Sequence, residues 1–117
     1  MEDKTIINQK TYNELKELMG ADFIAEIVDT FIQETGELID QLRQALELKD
    51  AATFDRCAHS IKSSSASLGA LDFSRSAWQL EMIGKAGDLS QAESLVEQLA
   101  ADFLEVKHSL EALKNES

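Results

Sequence analysis

The sequence of 117 residues contains no proline and only five glycines. Proline and glycine are the residues that most often end regular structure, so this chain has few points at which a helix must stop. Such a chain favours long helices over many short strands joined by tight turns. Its length and its 44% content of hydrophobic residues suit one buried core. We therefore predict an all-α fold with a single domain over residues 1–117.

Apolar residues recur at steps of three and four, the spacing that places them on one face of a helix. The longest series runs from Phe23 to Leu46 and passes through Gly36, which costs a helix about 1 kcal/mol relative to alanine. Three more series follow, over residues 54–68, 71–83 and 92–113. These four segments predict an antiparallel four-helix bundle, with a short extra N-terminal helix over residues 11–20 covering one end. We expect Trp78 and the phenylalanines to lie in the core.

Capping signals predict where these helices begin and end. Thr11 with Glu14, and Ser90 with Glu93, have the spacing of a capping box. Asp50 is a favourable N-cap for the third long segment. Helix ends are expected at three glycines: Gly20, Gly69 and Gly87.

The composition excludes several kinds of partner. The formal net charge is −11, which repels nucleic acid. The sequence has no apolar run of membrane-spanning length, and its polar N-terminus lacks the apolar region of a signal peptide. The one cysteine, Cys57, cannot form an internal disulfide and is expected to fill a small space in the core. We expect a cytoplasmic protein without nucleic-acid or membrane partners.

The stretch "CAHSIKSSSASLGA", residues 57–70, is rich in serine and alanine yet keeps a helical period. On a helical wheel, the apolar face of this segment centres about 140° from His59, so the imidazole points outward. Ser63 and Ala66 lie within about 40° of the imidazole, and Asp55 and Arg56 lie on the preceding turn.

Small residues around an exposed imidazole leave the ring accessible to another protein. Lys62 places a positive charge one turn from the ring, on a chain that is otherwise strongly acidic. Phosphoryl transfer needs positioning and charge neutralisation, and histidine can hold the group covalently. The pattern therefore favours a histidine that accepts a phosphoryl group from a partner protein. A single exposed histidine is, however, also common as an ordinary surface residue.

The run from His59 to Ala70, with Ala58 before it, resembles the signature of histidine phosphotransfer domains, A-H-x-[LI]-K-[GS]-[SA]-[SA]-x-x-[LIF]-G-A. "LMGADFIAEIVDTFIQE" is similar to the opening helices of that family, and Leu80-Glu81 with "GKAGDLSQAESL" is similar to a later segment. The resemblance implies a stand-alone phosphorelay protein. In such a protein His59 accepts a phosphoryl group from the phosphoaspartate of a receiver domain and passes it to another response regulator.

The resemblance also implies roles for neighbouring residues. Lys62 would stabilise the phosphoryl group, and Glu81 would hold the Nδ1 proton of the imidazole and leave Nε2 as the nucleophile. Lys85 would add positive charge facing the partner. The residues expected to contact the partner are Asp55, Arg56, Ser63, Ser64, Ala66 and Lys85. Many members have glycine where this chain has Ser63, but serine is small enough to leave the ring open.

The resemblance implies a phosphocarrier without an ATP site rather than an enzyme. In agreement with this, the sequence contains no nucleotide-binding motif. We expect no cofactor and no metal site, with Mg²⁺ supplied by the receiver domain. The expected partners are response-regulator receiver domains and a hybrid sensor histidine kinase.

Other interpretations of the sequence remain open. The bundle would serve as a helical adaptor if His59 were never phosphorylated. The near-heptad spacing over 92–113 would allow a coiled coil, but the same residues are needed to close a monomeric bundle. His59 and His108 are the only histidines and have no clustered partner at metal-ligand spacing. The serines of 63–67 lack the nucleophile motif of a hydrolase.

Overall fold

The computed structural model describes residues 6–116, which form five helices and no strand. The helices are α1 (Gln9–Met19), α2 (Ala21–Leu48), α3 (Ala51–Leu68), α4 (Leu71–Ala86) and α5 (Glu93–Asn115). Helices α2 to α5 form the bundle, and α1 packs against α2 and α3. The all-α bundle with a short extra N-terminal helix is therefore confirmed. The predicted domain of residues 1–117 includes residues 1–5 and 117, which lie outside the described range.

Glycines end the helices where the sequence predicts. Gly69 and Gly87 adopt left-handed backbone conformations, with φ of 93° and 84°. At Gly69 a side chain is excluded twice, because a Cβ there would also lie 2.7 Å from the Asn8 carbonyl oxygen. The Gly69 carbonyl accepts a hydrogen bond from the Asn8 amide at 2.8 Å. This contact joins the start of α1 to the end of α3.

Two of the three predicted N-caps are wrong. Asp50 does cap α3, since its carboxylate accepts from the Thr53 amide at 3.1 Å. The cap of α1, however, is Asn8, whose side chain accepts from the Thr11 amide at 3.0 Å. Helix α5 begins at Glu93 after Ala92 with no side-chain cap. The Ser90 amide instead donates to the Asp88 carboxylate at 3.0 Å, which makes a turn before the helix.

The core lies between the apolar faces of the four long helices. The predicted face of α3 is buried, and so is Cys57, as predicted. Trp78 and Phe23 contradict the prediction, since they are 47% and 50% exposed. Each is adjacent in sequence to a fully buried residue, Ala77 or Ile24, and the helical step of about 100° turns it away from the core. No helix among residues 6–116 has both the length and the apolar character needed to span a membrane.

Candidate functional site

His59 lies on α3 with its side chain 57% exposed, which confirms the predicted outward direction. The preceding residue, Ala58, is fully buried. The helical step between the two residues separates a core position from a surface position.

Glu81 of α4 reaches the imidazole from below the surface. Its side chain is only 4% exposed, and its Oε2 lies 2.8 Å from Nδ1 of His59. Its other oxygen, Oε1, lies 2.8 Å from Nζ of Lys62. A buried carboxylate is stable when it is paired and hydrogen-bonded, and Glu81 has both the Lys62 ammonium and the His59 ring nitrogen at hydrogen-bond distance.

The charge state of Glu81 follows from these contacts. Burial by itself raises the pKa of the carboxyl, but the hydrogen bonds from Lys62 and His59 outweigh burial and hold the pKa below its ordinary value. Glu81 is therefore ionised near neutral pH. An ionised carboxylate can only accept, so the proton of a neutral His59 lies on Nδ1. The lone pair is then on Nε2, which has no hydrogen-bond partner among residues 6–116.

Three further charged residues of the predicted site lie around this pair. Lys85 of α4 is 3.4 Å from the Asp55 carboxylate and 3.8 Å from Oε2 of Glu81. Arg56 donates to the Thr53 hydroxyl at 3.2 Å and has no acidic partner within the described part of the chain. Next to the ring, Lys62 and Lys85 balance the carboxylates of Glu81 and Asp55. The Arg56 contact leads instead toward Asp50, whose carboxylate accepts a hydrogen bond from the same Thr53 hydroxyl. The charges in contact around the ring are thus balanced, on a chain whose net charge is −11.

The small residues predicted near the ring are all exposed, but they do not lie together. Ser63 and Ala66 share the side of α3 that carries His59, and both are small enough to leave the ring open. The Ser64 hydroxyl donates a hydrogen bond to the Ser60 carbonyl, one turn earlier on α3, at 3.0 Å. Ser64 also lines a groove between α2 and α3, together with the half-exposed Phe23.

Some features of the site are absent from the sequence prediction, among them the ion pair of Lys62 with Glu81. The pairing of Lys85 with Asp55 links α4 to α3, whereas both residues were expected to be available to a partner. A further feature is the close contact between Gly84 and the backbone of Asp55. A glycine inside a helix is the only signal that the sequence offers for that contact.

The described residues show no metal centre. Within residues 6–116, no three histidine, cysteine, aspartate or glutamate side chains are grouped so that they could hold a metal ion. His108 is exposed on α5.

Two solved structures resemble the whole chain. Histidine-containing phosphotransfer protein B (HptB) from Pseudomonas aeruginosa PAO1 matches with a TM-score of 0.91 and 26% sequence identity, covering 98% of this chain and 99% of that one. The HPT domain of a sensor hybrid histidine kinase from Shewanella matches with a TM-score of 0.78 and 15% identity, covering 96% of both chains. At that identity the second match shows the fold alone. A search of curated proteins found no match.

The family comparison agrees with the fold. Residues 26–116 match the family model described as Hpt domain, which covers most of the chain and includes His59, Lys62 and Glu81. Proteins of this family are phosphocarriers that function with receiver domains and histidine kinases. The chain therefore belongs to the Hpt domain family and has a histidine phosphotransfer role in phosphorelays.

Proposed function

We propose that this protein is a phosphorelay intermediate in which His59 accepts a phosphoryl group from the phosphoaspartate of a receiver domain. The group then passes to the aspartate of another response regulator. The observation that carries the proposal is the 2.8 Å contact between Glu81 Oε2 and Nδ1 on a half-exposed ring.

The transfer step follows from the tautomer. The Nε2 lone pair attacks the phosphorus atom, the bond between phosphorus and the aspartyl oxygen breaks, and the aspartate leaves as a carboxylate. As Nε2 becomes bonded, positive charge spreads over the ring, and Glu81 at Nδ1 stabilises that charge. Return transfer is the reverse reaction on the aspartate of the next receiver.

The cations of the site assist this step. Lys62 is held 2.8 Å from Glu81, one turn from the imidazole, and is partly exposed. It is therefore near enough to the ring to neutralise charge on an incoming phosphoryl group. The protein needs no cofactor of its own in this scheme, because Mg²⁺ belongs to the acidic pocket of the receiver.

The partner would cover the surface around the ring. On the side of Ser63 and Ala66 it meets only small side chains, and the exposed Arg56 would offer it a cation. Ser64 lies at the margin, and Asp55 and Lys85 would contact the partner as a pair. The proposed partners are receiver domains, including that of a hybrid sensor histidine kinase, acting on a monomeric bundle.

Exchange of each histidine tests the assignment. The wild type, His59→Gln and a matched control, His108→Gln, are each mixed with a phosphorylated receiver and Mg²⁺ in the absence of nucleotide. Both histidines are exposed, so neither change should disturb the fold, as thermal unfolding will verify. We expect the wild type and His108→Gln to gain phosphate and His59→Gln to gain none.

Phosphate on a folded His59→Gln variant would refute the proposal. A different pattern would indicate the adaptor interpretation. In that case His59→Gln binds the receiver normally and leaves the signalling output unchanged.

A further inference from the structure

Three of the six buried residues of α4 are small, and they line the side of the helix that contacts α3 through Ser74 and Gly84. Ser74, Ala77 and Gly84 are buried at helical spacing along this face. Glu81 is the only long polar side chain among them. Its carboxylate lies between the two helices and contacts His59 and Lys62 of α3.

The contact at Gly84 is the closest that a glycine of this chain makes inside a helix. A Cβ at this position would lie 2.9 Å from both N and Cα of Asp55 and 3.0 Å from its Cβ. Separations below 3.0 Å are essentially never seen for real Cβ atoms. Two of these three atoms belong to the backbone of α3 and cannot rotate away, so a methyl group at position 84 would force the two helices apart.

The helix itself does not require glycine here. Gly84 has ordinary helical geometry, unlike Gly69 and Gly87 with their positive φ. A glycine in a helix interior costs about 1 kcal/mol relative to alanine. The close approach of α3 and α4 is therefore the feature of the structure that accounts for this glycine.

This contact lies one helical turn from the reacting groups. Asp55 precedes His59 by four residues on α3, and Gly84 follows Glu81 by three on α4. Hydrogen bonds weaken steeply beyond about 3.2 Å, so the 2.8 Å contact between Glu81 and Nδ1 tolerates little separation of the helices. On the other side of the pair, the Ser74 hydroxyl donates to the Lys62 carbonyl at 2.8 Å.

From these contacts we propose that Gly84 is a positioning residue for phosphoryl transfer. It sets the distance between α3 and α4 at which Glu81 holds the Nδ1 proton of His59. The proposal rests on the proposed function in one respect, namely that His59 is the phosphoryl acceptor.

Gly84→Ala tests the proposal, and Gly36→Ala is its matched control. Both changes add one methyl group inside a helix, but a Cβ at Gly36 would meet only Cε2 of Phe103, at an ordinary 3.9 Å. The first readout is the ¹⁵N chemical shifts of the His59 ring in the unphosphorylated protein, which report the tautomer. The second is the initial rate of transfer from a phosphorylated receiver.

We expect Gly84→Ala to shift the His59 ring from one dominant tautomer to a mixture and to slow transfer about tenfold, as small misplacements of reacting groups do. Gly36→Ala should match the wild type in both readouts. Unchanged ring shifts and an unchanged rate in a folded Gly84→Ala protein would overturn the proposal.

Two further measures keep the outcome decisive. If Gly84→Ala is too unstable to study, the same readouts are taken from Gly36→Ala/Gly84→Ala, in which the added helix propensity at position 36 offsets part of the loss. If the wild type accepts no phosphate, the proposed function has failed. The ring shifts still decide whether Gly84 positions Glu81, because they need no transfer.

Discussion

Glu81 is shared by the imidazole and by two lysines, so at the scale of single residues the site depends on this one carboxylate. The ring it holds is half exposed. A partner can therefore reach a histidine whose proton already occupies one defined nitrogen. The ring is accessible and its tautomer is fixed, because the imidazole lies at the surface and the carboxylate that holds its Nδ1 proton is buried beneath it.

Replacement of Glu81 by glutamine should change how stability depends on pH. The pKa of Glu81 is lower in the folded protein than its ordinary value of 4.5, so the ionised group stabilises the fold above that pH. That stability is lost as the pH falls through the folded pKa. Near neutral pH we expect Glu81→Gln to lower the free energy of unfolding by about 1 kcal/mol.

Denaturant unfolding across a pH series measures this difference. Both proteins share every other titrating group, so the difference between their free energies of unfolding should begin to shrink as the pH falls below 4.5 and should vanish once the pH is below the lower pKa of Glu81 in the folded protein. A difference that stays constant down to pH 3 would show that the ionised carboxylate is not its source.

The sequence predicts some residues of the site better than others. The outward direction of His59 depends only on the helical period, which the apolar spacing reveals. The place of Glu81 beside the ring came from a family resemblance, because spacing alone does not relate α4 to α3. The ion pairs of Lys62 with Glu81 and of Lys85 with Asp55 depend on the relative height of two packed helices, which no local pattern records.

At the scale of helices, the ends differ in how far local sequence determines them. Gly69 and Gly87 adopt positive φ, which few other residues tolerate, so the C-terminal signals are reliable. N-terminal signals compete with one another. Asn8 caps the backbone ahead of Thr11, and Asp88 bonds the Ser90 amide in a turn, so that Ser90 is too early to cap α5.

Two alanine substitutions test this account of the helix starts. Asp50→Ala should lower the Tm by about 4 °C, because it removes the acceptor of the Thr53 amide. Ser90→Ala should change the Tm by less than about 1 °C, since its side chain caps nothing. Thermal unfolding followed by circular dichroism compares the two variants with the wild type. A larger loss for Ser90→Ala than for Asp50→Ala would restore the predicted capping box and contradict the structure.

For the whole molecule, the bundle could be predicted because composition and period act over the entire chain. The absence of proline, four long apolar series and short connections are compatible with few other folds. The exposure of Trp78 and Phe23 could not be predicted. Each residue lies at the edge of the buried face of its helix. The width of that face depends on how the helices pack, which the sequence pattern does not give.

The charge of the whole molecule also affects partner choice. A net charge of −11 disfavours close approach of an acidic partner surface at most orientations. Beside His59 the cations Lys62 and Lys85 balance the local carboxylates, so in the proposed function an acidic receiver meets the least repulsion there. We therefore expect charge to orient a receiver toward the ring without a strongly attractive surface.

The most direct test of the central claim is to identify the atom that carries the phosphoryl group. Protein labelled with ¹⁵N-histidine is phosphorylated by a phosphorylated receiver and studied by ¹⁵N and ³¹P NMR. We predict one acid-labile, alkali-stable phosphoryl group on Nε2 of His59, because Glu81 occupies Nδ1. Phosphate on Nδ1, on His108 or on a serine would contradict the account.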